Sequence, residues 1–208
     1  MDLMRKYLNN TRKPKGFLGK MMVLGMNAGH SKVSLWGMEH LPKTAPDDMV
    51  DLGCGGGRTA ARLMKKYPGA SMTGVDYSEV SLAKARKLNR ATVQSGRCQL
   101  VQGDVSHLEL PSDHYDLATA FETVYFWPGP LESFQQVFRI LRSGGTFLIV
   151  NETDGTNPAD NKWPELIEGM KIYSEKEMTY WLTDAGFTNV QVYHKPEDHW
   201  ICFVATKP

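Results

Sequence analysis

Three aspartates of the 208-residue chain, Asp51, Asp76 and Asp104, each stand at or just past the end of a short apolar run. The first is followed by a turn almost without side chains, Leu52-Gly53-Cys54-Gly55-Gly56-Gly57-Arg58. Glycines belong where the backbone needs positive φ or a ligand must come close, and a helix starting near Arg58 offers free N–H groups just beyond them. This combination reads as a nucleotide cradle. Gly55-x-Gly57-x-x-Ala60 fits a fingerprint that holds a pyrophosphate at a helix N-terminus, which would make the chain an NAD(P)-dependent oxidoreductase. Asp51-x-Gly53-x-Gly55-x-Gly57 fits a second reading, because a carboxylate at the mouth of the turn repels phosphate and favours a nucleoside carrying positive charge. Asp76, about 20 residues past the glycines, can accept hydrogen bonds from ribose hydroxyls in either case.

Further along, Glu122-Thr123-Val124-Tyr125-Phe126-Trp127 directly follows an apolar strand ending at Phe121. Proton-transfer candidates near the expected mouth of the site are His30, Glu122, Tyr125 and Glu152. The aromatic residues Phe121, Tyr125, Phe126 and Trp127 can line an apolar pocket or face a cation. Cys54, Cys98 and Cys202 are odd in number and contain no CxxC pair, which predicts neither a disulfide framework nor a metal site. Cys54, within the glycine turn, reads as a small packing residue beside the ligand.

These side chains need strand ends to hold them. Short apolar runs predict strands at Met49–Asp51, Ser71–Val75, Cys98–Gln102, Tyr115–Phe121 and Thr146–Val150. Helical periodicity falls between them, over Ser31–Leu41, Arg58–Tyr67, Glu79–Ala91 and Leu131–Leu141, and Ser143-Gly144-Gly145 reads as the turn into the fifth strand. Such alternation calls for parallel βαβ crossovers. A polar excursion, Asn151–Tyr173, is long enough to act as a lid. Ser174-x-x-Glu177 is a capping box opening one more helix, and Thr188–His194 with Trp200–Thr206 reads as a closing hairpin.

Composition narrows the partners. With 24 basic and 23 acidic residues, the net charge of +1 leaves no nucleic-acid footprint, so a small-molecule substrate is expected. No run is apolar enough to span a bilayer. The basic segment Met1–Lys20 reads as a solvated helical flap, and the methionine-rich Met21–His30 reads equally as cover for a ligand or as core filler. The cysteine usage predicts a cytoplasmic enzyme.

Over nearly all of Val50–Ala205 the chain resembles class I S-adenosylmethionine-dependent methyltransferases. The resemblance rests on Val50-Asp51-Leu52-Gly53-Cys54-Gly55-Gly56-Gly57, Gly74-Val75-Asp76-Tyr77-Ser78, Gln102-Gly103-Asp104-Val105, Tyr115–Phe121 and Leu141-Arg142-Ser143-Gly144-Gly145. It implies a Rossmann-like α/β three-layer sandwich with a seven-stranded, mostly parallel sheet of order 3-2-1-4-5-7-6 and strand seven antiparallel. An N-terminal helical cap over residues 1–44 would precede a methyltransferase domain over 45–208. S-adenosyl-L-methionine would be the cofactor, held by Asp51, Gly53, Cys54, Gly55, Asp76, Tyr77, Asp104, Val105 and Phe121, with Asp104 and Val105 at the adenine. The Asn/Asp-Pro-Pro-aromatic motif of methyltransferases acting on nucleic-acid bases or glutamine is replaced by Glu122-Thr123-Val124-Tyr125. A non-catalytic adenosylmethionine-binding protein is the remaining alternative.

Overall fold

The computed structural model describes residues 31–208. His30 and the methionine-rich stretch before it lie outside the described residues. Among the described residues seven strands form one sheet, ordered β3-β2-β1-β4-β5-β7-β6. β1 (Asp48–Leu52), β2 (Ser71–Asp76), β3 (Cys98–Gln102), β4 (Tyr115–Phe121) and β5 (Leu141–Asn151) run parallel. β7 (Trp200–Thr206) is antiparallel to both β5 and β6 (Thr188–Lys195), as the family resemblance implied.

The central strands read as continuous apolar runs because both faces are covered. On one face Val50, Leu52, Ala118, Ala120, Phe147 and Ile149 meet the buried stripes of α5 (Pro130–Ile140) and α7 (Glu175–Asp184). On the other, Met49, Leu117, Leu148 and Val150 pack with Ala60, Leu63 and Met64 of α2 (Arg58–Lys66) and with Val33 of α1 (Ser31–Gly37). The capping box is present as expected: Ser174 accepts from the Glu177 N–H while the Glu177 carboxylate accepts from the Ser174 N–H. None of the described helices is long and apolar enough to cross a membrane.

Three element boundaries depart from expectation. The first helix stops at Gly37, which lies flush against Val150 with no room for a side chain, and a single 3₁₀ turn, Met38–His40, follows. The helix expected over Glu79–Ala91 divides at Asn89 into α3 (Glu79–Leu88) and α4 (Arg90–Gln94). Ser143-Gly144-Gly145 lies inside β5 rather than before it. There the register shifts between Tyr115 and Leu117, and Gly144 and Gly145 exchange backbone bonds with Lys207 at 2.8 and 2.9 Å. The excursion between β5 and α7 contains a 3₁₀ turn, Pro158–Asn161, and a short helix, α6 (Lys162–Leu166).

Phe147, fully buried, has ring centroids of Phe134 and Phe187 at 5.7 Å and of Trp127 at 6.3 Å. Emptying that position removes contacts from strand and helix alike. Phe147→Ala is expected to lower unfolding free energy by about 3–5 kcal/mol, read as a shifted urea midpoint at unchanged m.

Candidate functional site

The sheet brings its ligand-facing residues to the C-terminal ends of β1, β2 and β4, where α/β sheets place their contacts. Between β1 and α2 the chain folds back on β2: the N–H groups of Gly53 and Cys54 both donate to the Val75 carbonyl, at 2.8 and 2.9 Å. Gly53 has φ of 74°, and a Cβ there would collide with the Thr123 side chain just past β4. Gly57, at φ 76°, caps α2, and a Cβ on it would lie 2.6 Å from the Asn89 amide nitrogen and 2.8 Å from the Ala85 Cβ. Both positions are closed to any other residue by conformation and by space.

Asp76 ends β2 with both carboxylate oxygens engaged. Oδ2 accepts from the Gly55 N–H at 2.9 Å and Oδ1 from the Ser78 N–H at 2.8 Å. Asp51 is buried at the end of β1; its Oδ1 accepts from the Thr119 hydroxyl at 2.7 Å, and its Oδ2 has no partner. Tyr77 is half-buried next to Asp76. Asp104 is exposed beyond β3, where its Oδ1 accepts from the backbone and hydroxyl of Ser106, with Val105 half-buried beside it. Phe121 is 9% exposed at the end of β4. Cys54 packs over Gly74, and burial together with the charges of Asp76 and Asp51 pushes its thiol well up, which makes it a spacer and not a nucleophile.

Past β4 and β5 a second group gathers. Glu122 has φ of 59°, is 8% exposed, and leaves Oε1 without a partner. Its carboxyl and the Tyr125 hydroxyl both accept from the Glu152 backbone, and Tyr125 also accepts from the Thr153 N–H at 3.2 Å. Three of the four proton-transfer candidates, Glu122, Tyr125 and Glu152, thus come together. Glu152 itself is exposed.

A family model described as a methyltransferase domain matches residues 50–149, from the strand before the glycine turn to the fifth strand. Those residues form a methyltransferase domain, and the chain is similar to the class I adenosylmethionine-dependent methyltransferases. The chloroplastic 2-methyl-6-phytyl-1,4-hydroquinone methyltransferase of Arabidopsis thaliana is 27% identical over 144 residues, covering 69% of this chain and 41% of that protein. The chain therefore spans about four-tenths of the length of the curated relatives it matches. A chain in the complex of the Haloferax volcanii Trm112 methyltransferase activator with a methyltransferase superposes with a TM-score of 0.79 at 21% identity, covering 89% of this chain and 93% of that one. Phosphoethanolamine N-methyltransferase 2 of Haemonchus contortus, solved with S-adenosyl-L-methionine, gives 0.79 at 15% identity over 99% of this chain and 60% of its own. The oxidoreductase reading of Gly55-x-Gly57-x-x-Ala60 is not favoured by these matches.

The chain's own residues fit the cofactor of that family, S-adenosylmethionine. The Oδ2 of Asp51 is a buried acceptor with no partner, and the cofactor carries an ammonium and no phosphate. Burial raises the Asp51 carboxyl to about 7; the Thr119 hydroxyl opposes that rise and the Asp76 charge adds to it. Asp76 is raised by burial too, against the N–H groups of Ser78 and Gly55 that favour its charged form.

Sequence reading missed Thr119, Thr123 and Asn89. Thr119 lies opposite Asp51 in the β1–β4 register, and that pairing is fixed only once the strand order is known. Asn89 left a signal in being a poor helix former in the middle of a helical stretch.

The raised Asp51 sets a pH dependence. Between about pH 4 and pH 7 the unfolded chain has lost this proton while the folded chain keeps it, so this group's contribution to stability falls as pH rises through that window and is level above it. Asp51→Asn cannot titrate. In the absence of cofactor the variant is expected to gain melting temperature relative to the parent from pH 4 to pH 7 and to hold that gain at pH 8, measured by calorimetry across the range.

Proposed function

We propose that the protein transfers a methyl group from S-adenosylmethionine to a small-molecule acceptor seated past the ends of β4 and β5. The observation that carries this reading is the orphaned, buried Oδ2 of Asp51 beside a glycine turn that is closed to side chains. When bound, the cofactor supplies an electrophilic methyl carbon on a sulfonium. The protein's part is to hold the acceptor in line with that carbon at roughly 3 Å, which lowers the barrier without a covalent intermediate. Asp51 takes the ammonium, Asp76 with Tyr77 the ribose, Asp104 with Val105 the adenine, and Phe121 flanks the reacting end. Names of relatives that methylate a hydroquinone and a phosphoethanolamine support a small acceptor. The buried, free state of Cys54, Cys98 and Cys202 supports a reducing compartment, which we take to be the cytoplasm.

Glu122 is the group we assign to receive the acceptor's proton. Burial pushes its carboxyl well up, and the neighbouring Glu152 charge adds to the rise against a backbone hydrogen bond. A buried carboxylate of raised basicity takes a proton readily once it is ionised. Its backbone lies in the left-handed region, a strained conformation of the kind that clusters at ligand sites.

Calorimetric titration should show saturable binding of S-adenosylmethionine that tightens as pH rises through about 7, where Asp51 becomes an anion. An absence of binding at pH 8 would remove the reading. With labelled methyl donor and a panel of hydroxylated aromatics and small amines, turnover should climb with pH as Glu122 ionises. Glu122→Gln is expected to lower turnover by about 10²–10⁴-fold and to flatten that climb, with cofactor affinity preserved.

A further inference from the structure

Asn89 lies 32 residues beyond Gly57 in the chain, yet it touches the glycine turn. It is 5% exposed at the junction of α3 and α4, and its side-chain amide donates both hydrogens, one to the Gly57 carbonyl at 3.0 Å and one to the Ala85 carbonyl at 3.1 Å. Neither carbonyl depends on it. Gly57 also accepts from the Ala61 N–H at 3.0 Å, and Ala85 from the Asn89 N–H at 2.9 Å. The amide therefore satisfies no orphaned acceptor; it ties the turn to α3.

A second tie lies at the other end of the same helix, where Asp76 holds the Gly55 N–H. Gly55 and Gly57 are thus fixed by one continuous segment, running from the end of β2 through α3 to Asn89. Between the two ties Gly57 meets Ala85 with no side chain of its own intervening. We propose that Asn89 is a positioning residue for the cofactor turn, setting the distance between the glycine backbone and the Asp76 carboxylate. The proposal rests on the adenosylmethionine reading above.

Because the contact is to the turn and not to the reacting methyl, its removal must weaken S-adenosylmethionine and S-adenosylhomocysteine alike. Asn89→Ala is expected to raise the Kd of both by about tenfold, the size of one buried hydrogen bond. Asn89→Asp has no donor while ionised and regains one on protonation. Its affinity relative to Asn89→Ala should be lowest at pH 8 and should rise as pH falls, a recovery that simple loss of packing does not give. Thr92→Ala is the control for the junction itself: the Thr92 hydroxyl bonds the Asn89 carbonyl at 2.9 Å and does not reach the turn, so its loss should lower the melting temperature and leave both Kd values in place.

Titrations of the four proteins with the two nucleosides, each with a thermal melt, decide the matter. Equal weakening for both nucleosides in Asn89→Ala, pH recovery in Asn89→Asp and unchanged affinity in Thr92→Ala support the assignment. Parental affinity in Asn89→Ala, or an equal loss in Thr92→Ala, overturns it. If Asn89→Ala does not fold, a flat ratio of Asn89→Asp to parent between pH 8 and pH 5, after correction for melting temperature, overturns it as well. Failure of the unaltered protein to bind either nucleoside overturns the adenosylmethionine reading itself, and the role of Asn89 with it.

Discussion

A loop that must lie close to a ligand has few side chains with which to hold itself, so its shape has to be imposed by its neighbours. In this protein the imposing group is the Asp76 carboxylate, shared between the Gly55 and Ser78 N–H groups. One buried carboxyl group fixes the turn after β1 and holds the N–H of Ser78, the N-cap of the helix after β2. The bond also favours the charged form of a carboxyl whose pKa burial raises. Turn and acid are positioned by the same contact, so neither can move without the other.

Around that bond the site accumulates groups that are costly to bury. Asp51 has one oxygen on Thr119 and one on nothing, and Glu122 likewise leaves an oxygen unpaired. A folded chain rarely retains buried orphan acceptors without a use for them. In both cases the orphan lies at or just past the C-terminal end of a central strand, where the sheet opens to ligands. The faces of the sheet, by contrast, are filled by well-packed apolar side chains.

Much of this was legible in the residues alone. Acids at strand ends, the glycine spacing and the strand–helix alternation are local patterns, and the parallel βαβ core follows them, while the strand order and the antiparallel seventh strand are those that the family resemblance implied. What escaped depends on through-space neighbours. Thr119 is an ordinary strand threonine until β1 and β4 pair. Asn89 is a helix interruption until α3 lies against the glycine turn. Ser143-Gly144-Gly145 looked like a turn because its composition is that of one, and only the backbone bonds to Lys207 absorb it into β5 as a bulge. His30 lies outside the described residues, so the group of proton-transfer candidates that the fold assembles is Glu122, Tyr125 and Glu152.

The place of β7 carries a consequence for how the molecule is made. Of the described strands it is the last in chain order, yet it lies between β5 and β6, pairing with Asn151 through Ile201 and with Thr188 through Thr206. During synthesis β6 emerges with nothing to pair against, and the flank of β5 stays open until residues beyond Trp200 have left the ribosome. An open strand edge of this kind is a template for pairing with other chains. Until β7 closes it, that flank is open to such pairing, and long-range closures of this kind are intrinsically slow.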